Sequence, residues 1–153
     1  MNWKSILILI IAIIGAFAYL IFSSGKQRSV IQQTREEYFS QHTIEMNAIV
    51  TNKIISDHDW GILCLSVSKS NLSLYDPFKS QEKYFFYYVK DGYGEIYTGG
   101  ISQFNIGDSL VVRTNDDSMY IYRNRTKVDT WPLYVPTNDN YYDWVRKHHK
   151  EGK

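Results

Sequence analysis

Residues 6–22 form an uninterrupted apolar run, and no charged side chain falls within it. A stretch of this kind leaves a chain few options. With Trp3, Lys4 and Ser5 in front it reaches about 20 residues, or roughly 30 Å as a helix, which matches the hydrocarbon core of a bilayer. The run predicts a single membrane-spanning helix anchored by Ile6, Ile10, Ile14, Phe17, Leu20 and Phe22. Trp3 and Tyr19 are the aromatic types that favour interfaces, and Lys4, Lys26 and Arg28 bracket the span. A cleaved signal peptide is the rival reading, because Ala16-Phe17-Ala18 and Ser23-Ser24-Gly25 imitate small-residue cleavage sites. Further apolar residues follow Ala18, which favours an uncleaved anchor. Lysine and arginine do not weight one flank clearly over the other. The short N-terminal flank makes export of the larger part simpler, so the domain is expected on the extracytoplasmic side.

Residues 26–42 are polar and rich in helix formers, and Thr34 with Glu37 fits a capping box. They read as a spacer helix or as a continuation of the membrane helix. The organisation expected is therefore an anchor over 1–25, a juxtamembrane spacer over 26–42, a β-domain over 43–136, and a C-terminal helix with a basic tail over 137–153. About 110 residues are left to fold, enough for one core but not for a large pocketed enzyme.

From Thr43 the apolar period becomes that of a strand. A long run over 44–55, broken near Asn52, suggests a bent or bulged first strand. Asp57-His58-Asp59-Trp60-Gly61 reads as a turn into an alternating run over 62–68. Residues 69–83 read as a polar loop, and 84–90 as a third strand. Asp91-Gly92 marks a hairpin, Ile106-Gly107-Asp108 introduces another strand, and Asn115-Asp116-Asp117 turns the chain into residues 119–123. Asn138 is placed to cap a final helix carrying Tyr141, Trp144, Val145 and His148 on one stripe. Short strands with a turn every 8–12 residues imply a mainly β fold. We expect a small OB-like barrel of five to six strands, preceded by the transmembrane helix and followed by a short C-terminal helix.

The carrying residues of this layout are the apolar anchor, Asn47-Ala48-Ile49-Val50, Glu95-Ile96-Tyr97-Thr98-Gly99, Ile106-Gly107-Asp108-Ser109-Leu110 and Tyr120-Ile121-Tyr122-Arg123. Together they resemble short uncharacterised bacterial membrane-anchored proteins with a small OB-like barrel, over roughly residues 1–125. The resemblance implies that fold and no activity.

Several chemistries are disfavoured. Beyond the apolar run the basic and acidic side chains balance, whereas nucleic-acid binders usually carry a basic excess. The single cysteine, Cys64, sits in an apolar run and reads as a packed small hydrophobe. No phosphate-binding glycine loop or nucleophile motif is present. The expectation is a membrane-tethered, non-enzymatic binding or assembly module with no cofactor and no metal, and with a protein or glycan as partner. Its candidate aromatic face is Tyr84, Phe86, Tyr88, Tyr97, Tyr120 and Tyr122, of which strand alternation must send half inward. Two alternatives stand beside it. One is a small metal-dependent or hydrolytic enzyme centred on Asp57, His58 and Asp59. The other is a barrel that stacks single-stranded nucleic acid on its aromatics.

Overall fold

A computed structural model describes residues 3–56 and 58–149; within the first helix it describes the side chains of Trp3, residues 10–20, Ser23 and residues 32–41. The chain divides between Glu37 and Tyr38 into two compact units.

The first unit is helical. Helix α1, Trp3–Gln41, runs without a break from the apolar run into the polar one. Side-chain hydrogen bonds one turn apart, Gln32 to Glu36 at 2.9 Å and Gln33 to Glu37 at 3.0 Å, support its polar half. Ile10, Ile14, Phe17 and Leu20 are exposed; the side chains of Ile6 and Phe22 lie outside the described ones. Here the structure corrects the expected anchor. Among the described residues no helix is long and apolar enough to cross a membrane. The transmembrane, single-pass and extracytoplasmic assignments fall with it.

The second unit is an eight-stranded antiparallel sheet. Its strands are β1 Glu45–Ile55, β2 Trp60–Ser70, β3 Leu74–Tyr75, β4 Tyr87–Lys90, β5 Tyr93–Gly99, β6 Ser109–Arg113, β7 Ser118–Arg123 and β8 Thr126–Pro132. Two helices join them, α2 Pro77–Ser80 and α3 Asp139–His148. The strand order is β3-β4-β5-β2-β1-β6-β7-β8. The sheet is open, with β3 and β8 at its edges, and this overturns the five- to six-stranded OB-like barrel. The long, bent first strand is present, with register shifts at Asn47/Ala48 and Val50/Asn52. It pairs with β2 along its length and with β6 through its first half. Closure fails because the chain after β7 adds a further edge strand, β8, whose residues are mostly exposed.

Register sorts the strands into two faces. Met46, Ala48 and Val50 alternate with exposed neighbours on β1, and Leu110, Val112, Met119 and Ile121 continue that apolar face across β6 and β7. In β2, β4 and β5 the pattern changes. Residues 62–65, 87–89 and 94–98 are buried at consecutive positions, so this half of the sheet is covered on both sides. On the second side, Ile62, Cys64, Tyr88, Glu95 and Tyr97 line up by register. Phe78 of α2 and Phe85 pack edge-on against Tyr97, and Tyr142 of α3 packs on Phe85.

Two features pin the end of the β1–β2 hairpin to the rest. Asp59, with φ 56°, accepts from the Ser102 amide at 2.9 Å and from its hydroxyl at 3.0 Å. Lys53 donates to the Phe104 carbonyl at 2.6 Å, capping the 3₁₀ turn Ile101–Gln103. Gly61 is required here: an added Cβ would overlap the Ile54 carbonyl oxygen and lie 2.7 Å from Ile101 Cδ1. Gly61→Ala is therefore expected to destabilise this unit by roughly 2–4 kcal/mol in denaturant unfolding.

At the other end, Asp108 forms a bidentate pair with Arg123, both contacts at 2.8 Å, and accepts from the Asn105 amide at 2.8 Å. The Arg123 guanidinium holds the Asp108 carboxyl below the usual carboxylate range, although its own burial opposes this. A lowered folded value gives stability that is present above the ordinary aspartate range, near pH 3.9, and lost as pH falls through the folded value. Urea unfolding followed from pH 5 to pH 2 should lose this contribution progressively in the native chain. Asp108→Asn should start lower at pH 5 and decline less steeply.

Candidate functional site

A cleft of about 610 Å³ opens where the β1–β2 turn, the segment after β8 and the start of α3 meet. That volume lies in the range of small-molecule sites, roughly 300–1,000 Å³. Each wall has a local cause. Trp60 opens β2 immediately after the turn that Asp59 and Ser102 fix. Residues 133–136 leave the sheet with Leu133, Val135 and Pro136 turned inward, so Tyr134 between them faces out and is 37% exposed. Asn138 caps α3 by accepting from the Asn140 amide at 2.9 Å.

On α3, Tyr142 and Val145 dock against the core. The helical repeat then carries Tyr141 and Trp144 to the cleft side. The Trp60 ring lies 5.2 Å from Tyr134 and 5.3 Å from Tyr141, and Tyr141 and Trp144 are nearly parallel, 17° apart. Tyr141 donates to the Gly61 carbonyl at 3.1 Å, and burial pushes its hydroxyl well above the usual phenol range, so it stays a donor. Ser56, His58, Asn138 and Asn140 complete the rim. The described lining residues include no carboxylate, ammonium or guanidinium group, and His58 supplies an imidazole.

Besides its apolar pair and the Tyr141 bond to Gly61, α3 docks through two further buried polar contacts. The Tyr142 hydroxyl accepts from the Phe85 amide at 2.9 Å and lies 2.8 Å from the Phe85 carbonyl and 2.7 Å from that of Pro136. Having one proton, it donates to one carbonyl at a time. At the far end, His149 Nδ1 lies 2.8 Å from Glu95 Oε2. Glu95 is completely buried and also accepts from the hydroxyls of Tyr93 at 2.7 Å and Tyr97 at 2.8 Å. Burial, with the carboxylate alongside, pushes both phenols well above their ordinary range. Both remain protonated donors to Glu95.

The residues singled out from sequence fall elsewhere. Phe86, Tyr88 and Tyr97 are core. Tyr84 is half-buried beside Tyr142, with Lys83 over its ring. Tyr120 and Tyr122 are half-buried on β7, Tyr120 beneath Lys127. None of the six lines the cleft. In the Asp57-His58-Asp59 turn, Asp57 lies outside the described residues, Asp59 is engaged by Ser102, and His58 stands on the rim. Among the described residues no group of three or more His, Cys, Asp or Glu side chains is placed to hold a metal ion. The helix stripe of Tyr141, Trp144, Val145 and His148 was visible as a pattern, but it divides: Val145 docks, and Tyr141 and Trp144 border the cleft. Trp60 and Tyr134 carried no local signal, since only the tertiary fold brings them to α3.

Removing one hydroxyl tests how α3 is held. Tyr142→Phe keeps the ring but leaves the Phe85 amide and a carbonyl without their buried partner. We expect a loss of about 1–3 kcal/mol in denaturant unfolding. No protein-family model, curated protein or solved structure matches this chain.

Proposed function

We propose that this protein is a non-enzymatic recognition module whose aromatic cleft binds a neutral saccharide. The observation that carries the reading is the pairing of flat aromatic walls with an almost uncharged rim. A pyranose ring presents an apolar face of C–H groups and an edge of hydroxyls. Trp60, Tyr134, Tyr141 and Trp144 supply surfaces for that face. Ser56, Asn138 and Asn140 both donate and accept, which is what a hydroxyl requires of its partners. A phosphate or carboxylate would call for arginine or lysine, and a cation for a carboxylate; the described lining residues include neither. The cleft volume accommodates a short oligosaccharide rather than a large surface.

The test is an array of neutral and acidic oligosaccharides, with proline-rich peptides as the competing class, since such peptides also dock aromatic grooves. Neutral glycans should be retained. Trp60→Ala and Trp144→Ala should each weaken that binding at least tenfold, about 1.4 kcal/mol, with the circular dichroism of the sheet unchanged. Retention of the peptides alone, or binding unaffected by both substitutions, would remove the saccharide reading.

A further inference from the structure

The cleft is built from two parts fixed in different ways. Ser56, His58 and Trp60 sit on a hairpin end tied by Asp59 and Ser102. Asn140, Tyr141 and Trp144 sit on α3, a helix of 10 residues of which only Tyr142 and Val145 are buried. A helix this short is marginal by itself and takes its order from what it docks against.

The far end of α3 is fastened by a contact that packing alone does not require. His149, the residue that ends the helix, places its imidazole 94% out of solvent against a carboxylate that is wholly so. The ring stacks on Phe78 at 3.9 Å and meets the edge of Tyr88 at 4.7 Å. Among the described residues, groups facing the pair include the hydroxyls of Tyr93 and Tyr97 on β5, the ring of Tyr88 on β4, the Cys64 thiol of β2 near Tyr93, and Phe78 of α2. Glu95 accepts from both tyrosine hydroxyls, and a carboxylate has no proton to give, so Nδ1 is assigned as the donating nitrogen. The other nitrogen, Nε2, is buried and has no hydrogen-bond partner among the described residues. An arrangement that leaves one imidazole nitrogen unsatisfied is poor as a plain core filler. It does set the position and rotation of the last turn of α3, and through that turn the place of Trp144.

We infer that His149 is a positioning residue for the cleft: its hydrogen bond to Glu95 holds α3, and with it Tyr141 and Trp144, in the binding-competent place. This rests on the cleft being the binding site, but its first test needs no ligand. In the full chain, amide hydrogen exchange over residues 139–148 should rise about tenfold or more in His149→Ala, while β1, β2 and β5 keep their protection. Asparagine sets an amide donor near the place of imidazole Nδ1. His149→Asn should therefore return exchange to within about threefold of the native chain.

Unchanged α3 exchange in His149→Ala would overturn the assignment. So would loss of protection throughout the sheet, or failure of His149→Asn to restore α3. A second measurement separates this inference from the saccharide reading. On whichever neutral oligosaccharide the array retains, His149→Ala should weaken affinity and His149→Asn should recover it. If α3 loosens as expected and the array retains nothing, the positioning role stands and the choice of ligand falls. If a glycan binds and His149→Ala leaves its affinity unchanged, the positioning role falls and the ligand stands.

Discussion

A carboxylate with no exposure to water has to be surrounded by donors, because an ionised group left unsatisfied in the interior costs several kcal/mol. Glu95 imposes that condition at the centre of β5. Two of its donors, Tyr93 and Tyr97, are two residues either side of it on the same strand and face the same way. The third comes from the far end of the described chain. The polypeptide after β8 therefore has to return across the sheet. In returning it covers the second face of β2, β4 and β5 with Tyr142 and Val145 and brings Tyr141 and Trp144 opposite Trp60. The cleft is thus a geometric consequence of how one buried charge is satisfied.

Tyrosine is the device used repeatedly in this solution. An aromatic ring can be buried for its area, with its hydroxyl directed to a group that needs a partner. Tyr142 does this for the Phe85 amide and for one of two nearby carbonyls at a time, and Tyr93 and Tyr97 do it for Glu95. Tyr38 and Tyr75 join hydroxyls at 2.8 Å, and Tyr75 goes on to donate to Glu82. The 13 tyrosines invited a reading as a recognition surface. Many of them are instead internal fasteners.

Local signals carried much of the β-structure. Gly107 takes a positive φ of 93°, and the Asp108 carboxylate accepts from the Asn105 amide, so Ile106-Gly107-Asp108 is the turn its residues suggested. Asn138 does cap the final helix. Closure was not legible, because a period of two reports which side chains face inward and is silent on whether the outer strands meet. The edge strands were hidden for a related reason. β3 has only two residues, and β8 is polar and exposed along nearly all its length, so neither shows the apolar alternation of a half-buried strand. The N-terminal apolar run was judged as a separate segment, whereas the helix that contains it continues without a break through the polar residues to Gln41. The site was half legible: the α3 stripe was in view, but Trp60 and Tyr134 lie 81 and 7 residues before its first aromatic, Tyr141, and meet it only through the fold.

The two walls of the cleft differ in what their order depends on. Trp60 belongs to a central strand paired on both sides, and an opening there would break the sheet itself. Tyr141 and Trp144 belong to a short helix whose own propensity is weak: Asp139, Asn140, Tyr141, Tyr142, Asp143 and Trp144 are all middling or poor helix formers. Local opening free energies follow such differences, so α3 can leave the sheet at far lower cost than β2. A ligand that touches both walls favours the docked helix, and each contact it makes to Tyr141 or Trp144 adds to the weight already carried by Tyr142, Val145 and His149. Under the proposed recognition role, affinity at this cleft is set jointly by the rings that meet the ligand and by the buried contacts that keep one pair of those rings in place.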